Sequence, residues 1–163
     1  MGDLMTERLA LHPISVDEAE QMAAGRPDAE ARWEPGFPTE GGVSVAKRFL
    51  EHCAATGDPQ PFGPYVIRRW DHRAIGGMGF HGPPDEQGSV TIGYGLVPSA
   101  QGKGYASEAL RALLPFARDQ RVTSVKGDAD HDNTASQHVM TAAGMRQVGE
   151  DERVKYYAIS WSR

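Results

Sequence analysis

A chain of 163 residues is long enough for one domain with a substantial core and short for two. It is 39% hydrophobic and 24% charged, with a net charge of −5 and one cysteine, Cys53. These totals exclude an internal disulfide, argue against broad nucleic-acid binding, which needs a basic face, and leave no apolar run near the roughly 20 residues of a membrane span.

The opening, MGDLMTERLALHP, lacks the basic and apolar regions of a secretory signal, so a cytoplasmic location is expected. Arg8 to Ile14 alternates as a strand. Ser15, with Glu18 three places on, spells a capping box and predicts a helix. Gly25 to Gly42 is rich in Pro and Gly, carries Trp33, Glu34 and Phe37, and reads as a long loop of the functional kind. Val43 to Ala55 reads as a helix that stops near Gly57, with Cys53 as one of its small buried hydrophobes.

Pro64–Trp70, Ala74–Phe80 and Ser89–Leu96 then read as three strands joined by turns. A helix follows, with Ala106, Ala109, Leu110, Leu113, Leu114 and Ala117 in one apolar stripe interrupted by Pro115. VTSVKGDA is a strand. The next helix is expected to take Thr134 and Gln137 as its capping box and Gly144 as its stop. Two strands close the chain, giving the order β-α-α-β-β-β-α-β-α-β-β within a single domain spanning 1–163.

The stretch Tyr94 to Leu110, YGLVPSAQGKGYASEAL, passes from strand through three glycines and a lysine into a helix. A helix N-terminus offers unpaired N–H groups and a positive dipole end, and glycine lets backbone approach oxygen closely. The site therefore suits an anion, above all a phosphate. A Walker A loop fails, because Val97 stands at its first glycine and Gly104 at its Ser/Thr. A dinucleotide fingerprint fails too, because Gly102-Lys103-Gly104 is followed by Tyr105-Ala106-Ser107 with no third glycine.

The remaining pattern is [RQ]-x-x-G-x-[GA], met by Gln101, Gly104 and Ala106. This resembles the pyrophosphate loop of the GNAT N-acetyltransferase superfamily. Asn133-x-x-Ser136 before Val139 and Gly144-Met145 resembles that family's next motif. Thr6 to Pro13, TERLALHP, resembles the opening of its RimJ/RimL-like branch, enzymes that acetylate ribosomal-protein N-termini. The resemblance implies an α+β fold: a mixed, mostly antiparallel twisted sheet of about seven strands with helices on both faces. The sheet is splayed between the fourth and fifth strands. It also implies acetyl-CoA as co-substrate, no metal, and a small-molecule amine or a protein N-terminus as acceptor. The expected assembly is a monomer or homodimer.

Residue by residue, the resemblance assigns the pyrophosphate to Gln101, Gly102, Lys103, Gly104, Tyr105, Ala106 and Ser107. Lys103 either adds charge or points to solvent, and Tyr105 is part core, part cofactor wall. Leu96 and Val97 are expected to offer main-chain groups to the pantetheine arm. Asn133 would hold that arm or simply cap its helix. Ser136 would lie near the sulfur as an acid or be an exposed helical serine. Trp33, Glu34 and Phe37 are the expected acceptor-pocket residues, unless the aromatic pair anchors its loop.

Two residues depart from the family pattern. Thr91 stands where a Glu general base is common, and Met140 where a Tyr general acid is common. His81 is the first substitute base, ahead of His131 and Glu34, because histidine titrates in the needed range. Without any base the amine must arrive unprotonated, which favours α-amines near pKa 8 over lysines near 10.4. The two losses also leave open a non-catalytic acyl-CoA sensor.

Overall fold

The capping box forms as the spacing predicts: the Glu18 N–H donates to Ser15 Oγ at 3.2 Å and the Ser15 N–H to Glu18 Oε1 at 3.0 Å. It opens α1 (Val16–Ala24) in the computed structural model, which describes residues 2–161. Before it lie β1 (Leu4–Met5) and β2 (Leu9–Pro13). After it come α2 (Glu40–Thr56), β3 (Pro64–Arg69), β4 (Ala74–Phe80), β5 (Ser89–Leu96) and α3 (Tyr105–Asp119). The chain ends with β6 (Ser124–Asp130), α4 (Thr134–Ala142), β7 (Arg146–Glu150) and β8 (Val154–Ser160).

All eight strands join one sheet in the order β1-β2-β3-β4-β5-β6-β8-β7. Every neighbouring pair is antiparallel except β5–β6. This is the expected mixed sheet with one strand more. The two-residue β1 is too short to carry an alternating pattern, and only its pairing with Leu11 and Ala10 reveals it.

Adjacent strand residues face opposite sides. Tyr65 of β3 meets Phe116 of α3, ring centroids 6.4 Å apart, while its neighbour Val66 shares a cavity wall with Met22 of α1. Helices α1 and α2, packed together, thus cover one face, and α3 covers the other with α4 beside it. Leu110, Leu113 and Leu114 of α3 are 0–3% exposed. Each such leucine stabilises by about 1.5–3 kcal/mol, far more than a surface ion pair, so this stripe holds the helix on the sheet.

Two helix starts differ from expectation. Helix α2 begins at Glu40, because Thr39 caps it by accepting from the Gly42 N–H at 3.0 Å, and two glycines enter its first turn. Helix α4 is capped by Asn133 rather than Thr134, and Gln137 turns to the carbonyls of Asp130 and His131 instead of closing a box. Gly144, at φ +103°, ends α4 as predicted. Among the described residues no helix is long and apolar enough to cross a membrane.

Candidate active site

Strand β5 is the hinge of the site. It pairs with β6 over three residues only, Ser89–Thr91 against Ser124–Lys126, and then the two part. In an antiparallel ladder, residues exchange hydrogen bonds at alternate positions. On the β4 side the His81 N–H donates to Thr91 O and the Val97 N–H to Ile75 O, both at 2.9 Å. The odd-numbered residues of β5 thus face β4, and the main-chain groups of Tyr94 and Leu96 face the gap toward β6.

This corrects one member of the Leu96–Val97 pair. The Val97 N–H is held by Ile75, its carbonyl accepts from the Ala100 N–H at 3.0 Å, and its side chain is fully buried. Leu96 faces the gap, with its carbonyl held by Gln101 Nε2 at 3.1 Å, and the main-chain groups of Tyr94 face the same gap.

Beyond a single turn at Pro98–Ala100, the loop Gln101–Gly104 is exposed and leads into α3. Gly102 and Gly104 adopt φ +77° and +81°, where other L-residues are strained. Gly104 caps α3 without a side-chain acceptor, so the N–H groups of Tyr105, Ala106 and Ser107 are the orphan donors of its first turn. Open space surrounds the position of a Cβ on Gly102. Bare backbone, orphan donors and space together fit a pyrophosphate, with Lys103 exposed beside it.

Arg8, outside the predicted site, braces this loop. Its Nη1 donates to Lys103 O at 3.1 Å, its Nε to Glu108 Oε1 at 2.6 Å, and its guanidinium lies 4.6 Å over the Tyr105 ring. Thr6 Oγ1 donates to the same Glu108 carboxylate at 2.5 Å. The only advance signal was the Thr-x-Arg opening, which names the residues but not their partner 100 positions away.

Across the gap, Asn133 Oδ1 accepts from the Ser136 N–H at 3.1 Å, which leaves its amide NH2 as a donor. Tyr94 Oη lies 2.6 Å from Ser136 Oγ, where either hydroxyl can donate, and 3.0 Å from Ser136 O, so its single proton has two alternative acceptors. Burial pushes the Tyr94 phenol above its usual range, so it stays protonated at neutral pH. Tyr94 stood two residues before the predicted main-chain pair, and nothing in the strand pattern distinguished it from a packing tyrosine. Met140 is fully buried, and its Sδ lies 3.0 Å from where a Cβ on Gly127 of β6 would sit. No acid comes from that position.

On the α2 face of β4 and β5 lies a cavity of about 280 Å3. Four glycines in cross-strand register, Gly77 opposite Gly95 and Gly79 opposite Gly93, form its floor. Phe37 lines one wall, and Arg48 and His81 stand together at a rim shared with a smaller neighbouring cavity. The His81 ring lies over Gly93: a Cβ there would come within 2.7 Å of Nε2. Burial pushes the His81 imidazole below its usual 6.5, and Arg48 pushes the same way against the opposing pull of Asp128. The ring is therefore neutral at pH 7, as a base must be.

The other predicted residues separate. Glu34 is 13% exposed and ion-paired with Arg69 and Arg73, so it is neither a free base nor a cavity wall. Trp33 meets Phe37 edge-on at 5.3 Å but lines the adjacent, more polar cavity, and its loop is bonded to the start of β4 through Ala74. His131 donates its Nε2–H to Asp151 O at 2.6 Å in the turn between β7 and β8, which occupies that nitrogen. Among the described residues no cluster of three or more His, Cys, Asp or Glu could hold a metal ion.

Comparison with known proteins gives concordant results. The profile of the "Acetyltransferase (GNAT) domain" family matches residues 8–146. An N-acetyltransferase of Bacillus subtilis (strain 168), YjdG, is 30% identical over 149 residues, covering 86% of this chain and 88% of its own. Among solved structures, a ribosomal-protein-S5-alanine acetyltransferase from Vibrio fischeri superposes with a TM-score of 0.71 at 18% identity, covering 98% of this chain and 97% of that one. RimJ of Mycobacterium smegmatis, in complex with CoA-disulfide, superposes at 0.66 and 18% identity, covering 98% and 90%.

Proposed function

We propose a reaction for this chain from one premise: it belongs to the GNAT acetyltransferase family. The reaction is transfer of an acetyl group from acetyl-CoA to a primary amine, by direct attack in a ternary complex without a covalent enzyme intermediate. The observation that carries this reading is the convergence on β5. Its gap toward β6, its glycine loop and its cavity on the α2 face all meet within Thr91–Gly104.

Acetyl-CoA, when bound, supplies an acetyl group activated as a thioester, whose thiol leaves with a pKa near cysteine's, roughly 8.5. The orphan N–H groups of Tyr105–Ser107 and the bare backbone at Gly102 and Gly104 suit its pyrophosphate. Leu96, Tyr94 and the Asn133 amide suit the pantetheine arm. His81 Nε2 takes the proton that the acceptor ammonium must lose before its nitrogen can bond to the acetyl carbon. The C–S bond then breaks, Ser136 Oγ–H is the proton source for the departing sulfur, and the second proton of the attacking nitrogen, lost as the amide forms, restores the serine. Tyr94 Oη–H, donating to Ser136 Oγ, leaves that serine proton free to be given away. The Leu96 N–H, aimed into the gap, suits the oxygen on which charge develops.

Release of free thiol from acetyl-CoA, followed against pH with α-amines and with lysine peptides blocked at the N-terminus, tests the reading. Turnover is expected. kcat/KM should rise through a pKa below the ordinary histidine value of 6.5 and then level, alike for amines of different pKa, with that limb lost in His81→Ala. A rise that tracks each amine's own pKa would remove His81 as base. No turnover with any amine, while CoA still raises the melting temperature, would leave only the sensor reading.

A further inference from the structure

Acceptor chemistry is written in the cavity on the α2 face. Its volume of about 280 Å3 lies just below the ~300–1,000 Å3 typical of ligand pockets, which suits a small acceptor. Its lining is mostly apolar, with Met22, Phe37, Val45 and Val66 around the glycine floor. Among the described residues no Asp or Glu lines it, and the one formal charge is that of Arg48. Burying a cationic group costs several kcal/mol unless an anion meets it, and no anion waits here.

The polar groups are also segregated. Arg48 and His81 both border this cavity and the smaller one beside it, so they share one rim, while the far wall is apolar. The floor is not uniform either. A Cβ on Gly79 would strike Gly63 O at 2.6 Å, and one on Gly93 would strike His81, but one on Gly95 would meet nothing within 4 Å. The emptiest part of the cavity therefore lies over Gly95, at the end of β5 where the gap toward β6 opens.

We infer that the acceptor is a free α-amino acid with an apolar side chain, its carboxylate on Arg48, its amine between His81 and the end of β5 that borders the gap, and its side chain over Gly77 and Gly95. An α-amino acid carries amine and carboxylate on one carbon. It thus needs its two polar contacts at one rim and an apolar floor beyond them, which is the arrangement here. The cavity equally disfavours polyamines, lysine side chains and aminoglycosides, whose further cations would find no carboxylate. The inference rests on the acetyltransferase reading for which atom reacts, but binding tests it independently of turnover.

Calorimetric titration into the CoA-saturated protein compares L-leucine, L-leucinamide, the dipeptide Leu-Gly and spermidine. Leucine is expected to bind, the amide and the dipeptide about ten- to a hundredfold more weakly for the loss of one charge-assisted hydrogen bond, and spermidine not at all. Arg48→Gln, an exposed position on α2, should bind leucine and leucinamide alike. Gly95→Val, whose side chain enters open space at an ordinary strand residue, should lose leucine while keeping its melting temperature and its response to CoA. Equal binding of leucine and the dipeptide would overturn the inference, as would spermidine binding as tightly as leucine or Gly95→Val binding unchanged. Leucine binding without acetylation would keep the cavity as an α-amino-acid site and overturn the reaction and, with it, the acceptor role.

Discussion

Ser136 and Tyr94 meet at 2.6 Å across the gap, one from α4 and one from β5, and supply the hydroxyls that Met140 cannot. Only one proton at a time can occupy the line between their oxygens. When Tyr94 donates to Ser136 Oγ, the serine proton points elsewhere. Ser136→Ala should lower kcat by about ten- to a hundredfold, the range for losing one proton donor, with little change in KM for acetyl-CoA. Tyr94→Phe keeps the ring and removes the bond that orients Ser136, so it should lower kcat by a smaller factor. In Ser136→Ala that tyrosine hydroxyl has no serine to orient, so adding Tyr94→Phe should cost nothing more. Single-turnover rates for the four proteins check this. Independent, multiplying losses would show that the two hydroxyls do not act as a unit.

At the scale of elements, the N-terminal third is tied to the sheet by a chain of charges. His12 on β2 reaches Asp3 through Nδ1 at 2.7 Å and Glu18 on α1 through Nε2 at 2.9 Å, and Arg68 on β3 reaches the same Glu18 at 3.1 Å. The hydrogen bond to Glu18 raises the His12 pKa above 6.5 despite its burial. Burial alone would lift the Glu18 carboxyl, but bonds from His12 and Ser15 outweigh it and bring it to about 2. The signs follow by linkage. His12 contributes stability that is full below pH 6.5 and is lost as pH rises through its raised pKa. Glu18 contributes stability that is full above 4.5 and is lost as pH falls toward about 2. His12→Gln should therefore lower Tm most near pH 6 and least near pH 9. A partly exposed pair is worth up to about 1 kcal/mol, or about 2–4 °C in a chain of this size. A deficit of the same size at both pH values would mean that packing, not charge, is what His12 supplies.

At the scale of the whole molecule, the sheet is two sheets that share a short seam. β1–β5 and β6–β8 are joined along Ser89–Thr91 alone, and the gap beyond must be spanned by a ligand if it is spanned at all. Binding of CoA should then slow amide exchange at Tyr94 and Leu96 and at Tyr105–Ser107 together, while β1 and the outer strand β7 are unaffected. Gly102→Asp should abolish that protection at a modest cost in Tm, because aspartate is among the residues that visit this left-handed backbone, its Cβ meets open space and its charge opposes a pyrophosphate. Gly104 is the poorer choice, since a Cβ there already lies 3.4 Å from the Arg8 guanidinium. Protection confined to the cavity over α2, or an unchanged response in Gly102→Asp, would place CoA elsewhere.

The sequence by itself determined the elements and the anion loop, because both are local. The Ser15–Glu18 box, the α3 stripe and Gln101–Gly104 act over three to eleven residues, within reach of helical period and glycine φ. What it could not determine was which side chains face one another over long separations. Arg8 meets Glu108 across 100 positions and Tyr94 meets Ser136 across 42. Glu34, in a loop that reads as an acceptor pocket, is consumed by Arg69 and Arg73 on the turn it touches. Val97 belongs by motif to the pantetheine contact, yet the parity of the β4–β5 ladder turns its N–H to Ile75 and presents Tyr94 and Leu96 instead. Strand parity, register and partner choice are set by tertiary pairing, where a shift of one residue moves every group to the other side.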